Sequence, residues 1–210
     1  QRTAHLLADE LNGMRPDSAR VLIANLSEAN AITELAAASL NAYGRLDALV
    51  NNASSFYPTP VGQTTQDQWD DLFASNARAP FFLSQALTPA LRASGQGCMV
   101  NVIDIHAEFP LTEHTVYCMA KAALAAMTKS LAKELAPSVR VNGVAPGAIA
   151  WPEGSGEMTS AMQAEILRSV PLGRVGGFDS IADTIAFLIE GTDYISGQIL
   201  AVDGGRSVWG

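Results

Sequence analysis

The sequence is short of cysteine, of positive charge and of long apolar runs, and each shortage closes off a class of protein. Cys98 and Cys118 are its only cysteines, too few for a disulfide framework and suited to a reducing, cytoplasmic setting. No histidine and cysteine cluster at ligand spacing occurs, so no metal is expected. Lysine and arginine number 13 against 21 aspartates and glutamates, a net charge of −8. An acidic chain without a basic run repels phosphate, which argues against nucleic acid as a partner. Apolar runs such as Val21–Ala24 and Ala36–Ala38 are far too short to span a bilayer. The opening residues, Gln1-Arg2-Thr3-Ala4-His5, hold neither an apolar signal core nor an initiator methionine.

What is present is a core. Hydrophobic residues make up 48% of the 210 and charged residues 16%, which fits one globular domain. Short β-branched runs alternate with Ala-rich helical stretches. Strands are expected at Arg20–Ala24, Leu46–Val50, Cys98–Ile103, Val139–Val144 and Gln198–Val202. A first helix holds Leu7 and Leu11 on one face and stops near Asn12-Gly13. Ser27 is expected to cap the next, and Thr65 a third; Pro80 permits a fresh helical start. A long helix spans about Glu113–Ala136, halted by Pro137, and two more lie near Thr159–Ser169 and Ser180–Glu190. Strands alternating with helices imply crossovers, hence an α/β fold with a doubly wound parallel sheet. No linker or repeat divides residues 1–210.

In such sheets ligands bind beyond the carboxyl ends of the strands. The residues there are Asn51-Asn52-Ala53-Ser54, Asp104-Ile105-His106 and Pro146-Gly147. Turn formation is the plainer reading, since these residue types favour turns anyway. The long helix adds Tyr117 and Lys121, four apart and on one face. An ammonium near a phenol should lower its pKa from about 10 and make it a usable proton donor. The pair alone is weak, because a solvent-facing Tyr and Lys share that spacing by chance. Elsewhere, His106 reads as a passive wall residue, His5 and His114 as surface residues. Trp151 either closes over a substrate or packs in its loop.

Taken in order, Asn51-Asn52-Ala53, Asn76, an acidic residue after the following strand, Tyr117/Lys121 and Pro146-Gly147 resemble the short-chain dehydrogenases/reductases. The resemblance covers the whole chain. It implies a single Rossmann-type domain, Tyr117 as proton donor, Lys121 on the nicotinamide ribose and Asn76 supporting a water relay. It also places Asn25, Leu26, Asn52, Ala53, Ser54, Pro146 and Gly147 against the cofactor. Most of the family has serine where this chain has Asp104. Together with Ser54 and Phe56, that aspartate resembles the pteridine reductases. The resemblance implies NADPH, a dihydrobiopterin- or dihydrofolate-like substrate, Phe56 stacked on the pterin face and Asp104 coupled to Tyr117. Ser54 would bond the pterin or a cofactor phosphate. A neutral Ser-to-Asp drift in an ordinary carbonyl reductase acting on a ketone or a 3-oxoacyl thioester is the alternative. A non-catalytic binding protein on the same fold is a third reading.

Two departures stand out. Nothing like Thr-Gly-x-x-x-Gly occurs before Arg20, although the family opens on a strand, such a turn, a helix and a second strand. In the family's order, 3-2-1-4-5-6-7, two strands would separate Arg20–Ala24 from Leu46–Val50. The natural polypeptide is therefore expected to be longer; a truncated product unable to hold a dinucleotide is the alternative. Asn25 also stands where the family usually has an aspartate against the adenine. Finally, Ala122–Met127 is an unbroken apolar run that covers more than a full turn of helix. Its outer face is expected to be covered by another subunit, and the family implies a homotetramer in which Arg206 approaches a neighbour.

Overall fold

Local signals set most helix ends. The computed structural model describes residues 2–151 and 158–208; part of the loop that holds Trp151 lies outside them. α1 (Arg2–Met14) precedes α2 (Ala29–Tyr43), which stops at Gly44. There φ is 72°, and the glycine N–H reaches the Leu40 carbonyl in a left-handed cap. The start of α2 corrects one expectation. Ser27 does not cap it; Glu28 holds the N-cap position, without a side-chain bond. Asn25 organises this turn instead, accepting from the Ser27 N–H (3.1 Å) and donating to Glu28 Oε1 (2.8 Å).

Thr65 does cap α3 (Gln66–Phe73), in a reciprocal box with Gln68. A π turn at Ala74–Arg78 leads into α4 (Ala79–Ala93). Pro80 sits in its first turn, where a missing N–H costs little. β1 (Ala48–Asn51), β2 (Gly97–Val102), β3 (Val139–Pro146) and β4 (Ile199–Val202) form a parallel sheet in that order. α5 (Thr115–Leu135) and α4 cover one face, where Leu87, Leu91, Leu135 and Ala132 pack on Met99 and Val141. α6 (Ser160–Arg168) follows a cap by Thr159, and α7 (Phe178–Ala186) runs into a second π turn, Phe187–Gly191. Leu188, Ile181 and Ile185 cover the other face, against Cys98, Val100 and Val144. Sheet residues thus alternate between two cores, as a strand's two-residue period requires.

Arg20–Ala24 is not a strand. No strand among the described residues pairs with it, and Leu22 and Ile23 are 41% and 61% exposed. Its β-branched run records a preference for a sheet, but a strand exists only where a neighbour supplies the ladder. β1 is accordingly hydrogen-bonded on one side, to β2.

A buried polar chain ties the layers together below the site. Asn51 Nδ2 donates to Asn101 Oδ1 (2.8 Å) and Ser84 Oγ (3.2 Å). Asn101 Nδ2 donates to Thr128 Oγ1 (2.9 Å), which donates to the Leu124 carbonyl (2.8 Å). β1, β2, α4 and α5 are joined by it. Asn101→Leu strips Asn51 and Thr128 of a partner where water cannot replace it. The expected loss is about 1–3 kcal/mol of stability, read as a lower urea midpoint at unchanged slope.

Candidate active site

The end of β2 builds the centre of the site. Past Val102 the chain reaches Asp104, whose carboxylate caps a 3₁₀ turn at Ile105–Ala107 by accepting from the His106 N–H (2.8 Å). Its second oxygen, Oδ2, accepts from the Tyr117 hydroxyl at 2.7 Å. One helical turn further along α5, Lys121 Nζ donates to the Val102 carbonyl at 3.0 Å. Tyr117 and Lys121 are both buried, 4% and 2% exposed. The apolar cluster of Leu72, Val116 and Cys118 fixes the tyrosine against α3. Phe56 lies edge-on to Tyr117, ring centroids 4.8 Å apart. The structure therefore brings Asp104, Tyr117, Lys121 and Phe56 together.

Asn76 sits within the π turn between α3 and α4, a wide turn of a kind often found at functional sites. Its Nδ2 donates to the carbonyls of Ser55 and Leu72, both at 2.9 Å. Its Oδ1 is buried and has no partner among the described residues. Asn76 thus ties the segment after β1 to the helix beneath it and keeps one acceptor free.

The electrostatics reverse one expectation. The Tyr117 phenol is held far above its ordinary pKa, not below it. Burial is the largest cause, and the adjacent Asp104 carboxylate adds to it. Lys121 cannot offset this, because its ammonium points to the Val102 carbonyl and lies 5.7 Å from the tyrosine ring centre. Burial also lowers the Lys121 pKa from 10.5 to about 8, against the pull of Asp104. At neutral pH the site accordingly holds a protonated phenol and, in the majority, a charged lysine.

The remaining candidates frame this centre. Asn52, Ala53 and Ser54 are exposed immediately past β1. Asn25 is exposed and engaged in its own turn, with Leu26 half-buried beside it. Pro146 ends β3, and Gly147 has a packing reason of its own. A Cβ there would meet Asp203 Cβ at 2.5 Å and Cα at 2.7 Å, so only glycine lets the ends of β3 and β4 close up. His106 Nδ1 lies 2.7 Å from the Phe109 carbonyl, and its side chain lines neither of the two larger clefts. His114 is not a detached surface residue: its ring stacks on Phe56 at 4.7 Å and 13°. Sequence spacing could not show that contact, since the two lie on different segments. A cleft of about 550 Å³ borders Asp104 but is not lined by Tyr117. A larger one, about 820 Å³, lies at the opposite ends of the strands, near Gly97 and Arg140. Of the central residues, Asp104 borders the smaller cleft, while Tyr117 and Lys121 are buried beside it.

A family profile described as enoyl-(acyl carrier protein) reductase matches residues 2–207. The chain is 36% identical to pteridine reductase 1 of Leishmania tarentolae, over 98% of this chain and 84% of that protein. It is 32% identical to the 3-oxoacyl-[acyl-carrier-protein] reductase FabG of Thermotoga maritima, over 95% and 81%. It is also 36% identical to the L-xylulose reductase of Bos taurus, over 80% and 70%.

The depressed lysine has a consequence for stability. Below about pH 8 the folded chain holds an ammonium that water would solvate better, at a cost on the order of 3 kcal/mol. Between about 8 and 10.5 the folded lysine is neutral while the unfolded one is still charged. The unfolded state then binds more protons, so stability rises with pH across that window. Lys121→Met removes the slope. It is expected to be more stable than the parent near pH 7, by up to about 3 kcal/mol, with the gap closing towards about pH 10. Urea unfolding of both proteins at the two pH values measures it.

Proposed function

The chain belongs to the short-chain dehydrogenase/reductase family of nicotinamide-dependent oxidoreductases, and we propose that it is an NADPH-dependent pteridine reductase acting on dihydrobiopterin- or dihydrofolate-like substrates. The observation that carries this reading is the 2.7 Å bond from the Tyr117 hydroxyl to the Asp104 carboxylate, with Phe56 standing edge-on to the same phenol.

The residues present suit the nicotinamide end of a dinucleotide. The buried Lys121 ammonium spends one donor on Val102, and an ammonium has three, so donors remain for ribose hydroxyls. Asn52, Ala53, Ser54, Pro146 and Gly147 lie at or just past the carboxyl ends of β1 and β3 and would line the cofactor there, with Asn25 and Leu26 assigned to its adenine end by the family resemblance. When bound, the cofactor supplies the hydride. The protein's own task is the proton. Tyr117, kept protonated by burial and by Asp104, gives its hydroxyl proton to a substrate nitrogen. The Asp104 carboxylate opposes the phenolate that remains and so drives its reprotonation, and Asn76, with its free buried oxygen, would hold the water that returns the proton.

Asp104 also favours one substrate class over another. A carboxylate only accepts hydrogen bonds, whereas a serine hydroxyl both donates and accepts. Reduction of a ketone builds negative charge on an oxygen, which calls for donors. A pterin instead offers ring and amino N–H groups, which a carboxylate can accept. The second reading is reduction of a 3-oxoacyl thioester or ketone, favoured by the 32% identity to the FabG reductase. It makes Asp104 a neutral replacement. A cytoplasmic setting accompanies either reading and suits two free, buried thiols.

A homotetramer belongs to the same proposal. Ala122 and Ala126 on α5 are exposed beside the cleft that borders Asp104, and Phe82 on α4 is 47% exposed. Mass measurement of the dilute protein is expected to give an oligomer that Ala126→Arg splits. A fully active monomer at micromolar concentration contradicts it.

The activity test is direct. NADPH oxidation is followed with a dihydropterin, and separately with a ketone and a 3-oxoacyl thioester. Tyr117→Phe is expected to leave no more than a few per cent of turnover while cofactor affinity stays close to the parent's. Asp104→Ser is expected to lower kcat/KM for the dihydropterin selectively. It should also bring down the pH at which the alkaline limb of the profile falls, because Lys121, at about 8, loses the carboxylate that supports its ammonium. Unchanged pterin kinetics in Asp104→Ser would leave the carbonyl reductase reading standing.

A further inference from the structure

Phe56 is more than half exposed, at 55%, yet it is held from two sides. The Tyr117 ring lies near-perpendicular to it, at 4.8 Å and 80°. His114 lies flat against it at 4.7 Å and 13°. The imidazole is itself fixed. Its Nδ1 lies 2.8 Å from the Thr112 carbonyl; a carbonyl only accepts, so Nδ1 carries the proton there. The backbone around both rings is clamped as well. The Thr59 N–H donates to the Glu113 carbonyl at 2.6 Å, with Thr59 fully buried. Glu113 adopts φ of 62°, a left-handed conformation uncommon for a glutamate. That strained turn presents its carbonyl to the Phe56 segment and starts α5 with His114 facing the phenylalanine.

We propose that His114 is a positioning residue, which fixes the plane of the Phe56 ring and so sets how a flat substrate lies beside Tyr117. The inference rests on the pteridine reading for the identity of that substrate. It deepens the reading by assigning selection for flat, heteroaromatic substrates to a pair of rings rather than to Phe56 alone. A lone half-exposed phenylalanine samples several rotamers. One stacked on a tethered imidazole presents a single plane, and the substrate does not have to order it on binding.

Four single variants and one double test this: Phe56→Ala, His114→Ala, His114→Asn, His114→Phe, and Phe56→Ala combined with His114→Ala. His114→Asn keeps a donor for Thr112 without a ring, and His114→Phe keeps a ring without the donor. Two readouts are taken on the full chain. The first is the ring resonances of Phe56 in protein labelled at phenylalanine, assigned by their loss in Phe56→Ala. They are expected to lose their imidazole ring-current shift in His114→Ala and His114→Asn, and to keep a comparable shift in His114→Phe. The second is steady-state reduction of a dihydropterin. KM is expected to rise about two- to tenfold in His114→Ala and His114→Asn, with kcat within about twofold and the Kd for NADPH unchanged. His114→Phe should restore KM. Adding His114→Ala to Phe56→Ala should cost nothing further.

Phe56 resonances that stay in place in His114→Ala overturn the positioning role, whatever the substrate is. Equally, a KM that rises in Phe56→Ala but not in His114→Ala overturns it, as does an additive double variant. If Phe56→Ala leaves pterin KM unmoved, or no dihydropterin is turned over, the pteridine reading falls. The positioning role is then decided by the resonances alone.

Discussion

The bond between the Tyr117 hydroxyl and Asp104 Oδ2, at 2.7 Å, is the contact on which the site depends. It joins the carboxyl end of β2 to the first turns of α5, and it can form only because both are placed by the packed layers beneath. Val102 continues the β2 ladder with β3, Asp104 is oriented by capping its own 3₁₀ turn, and Tyr117 is wedged among Leu72, Val116 and Cys118. The buried Asn51–Asn101–Thr128 chain keeps β1 in register with β2. The segment that carries Ser54 and Phe56 therefore leaves the sheet at a fixed point.

That arrangement stabilises a chemical state at the expense of the fold. A lysine at 2% exposure with one carbonyl as partner, beside a phenol pressed against a carboxylate, is a poor way to hold a core together. Apolar side chains would pack here without the desolvation cost. Such costly burial at the carboxyl ends of parallel strands marks this cluster as the candidate site. The contrast with Asn101 is instructive. It is equally buried, but both of its amide groups are satisfied by neutral partners, and it belongs to the scaffold.

Legibility in the sequence followed the range of the interaction. Thr65 and Pro80 act within a few residues, and their roles are visible in the chain alone. The parallel sheet followed from alternation of strand and helix. Arg20–Ala24 was misread because composition reports suitability for a sheet, while pairing needs a neighbour. The sign of the Tyr117 shift was misread for a related reason. Helical spacing places Lys121 near the phenol, but only three dimensions reveal that its ammonium turns to Val102 and that Asp104 takes the hydroxyl. The His114 stack on Phe56 joins segments whose proximity no local pattern encodes.

If the pteridine reading holds, Asp104 redirects a shared scaffold through one side chain. The coarse chemistry, nicotinamide-dependent reduction, follows from the family; a proton from Tyr117 belongs to the proposed reading. What differs is the polarity of the position opposite the phenol. A serine there donates to an oxygen that gains negative charge. A carboxylate repels such an oxygen and attracts N–H groups, so it penalises the transition state of a carbonyl reduction and rewards a nitrogen-rich ring. The penalty needs no steric clash. A site built to accept a hydrogen bond discriminates against a substrate that cannot donate one, because the buried acceptor is then left unpaired. Phe56 adds shape to that charge preference, since a flat ring can lie against it while a branched ketone cannot. On the pteridine reading, selection divides between an acceptor for hydrogen-bonding groups and an aromatic ring that favours planarity, with Tyr117 in contact with both.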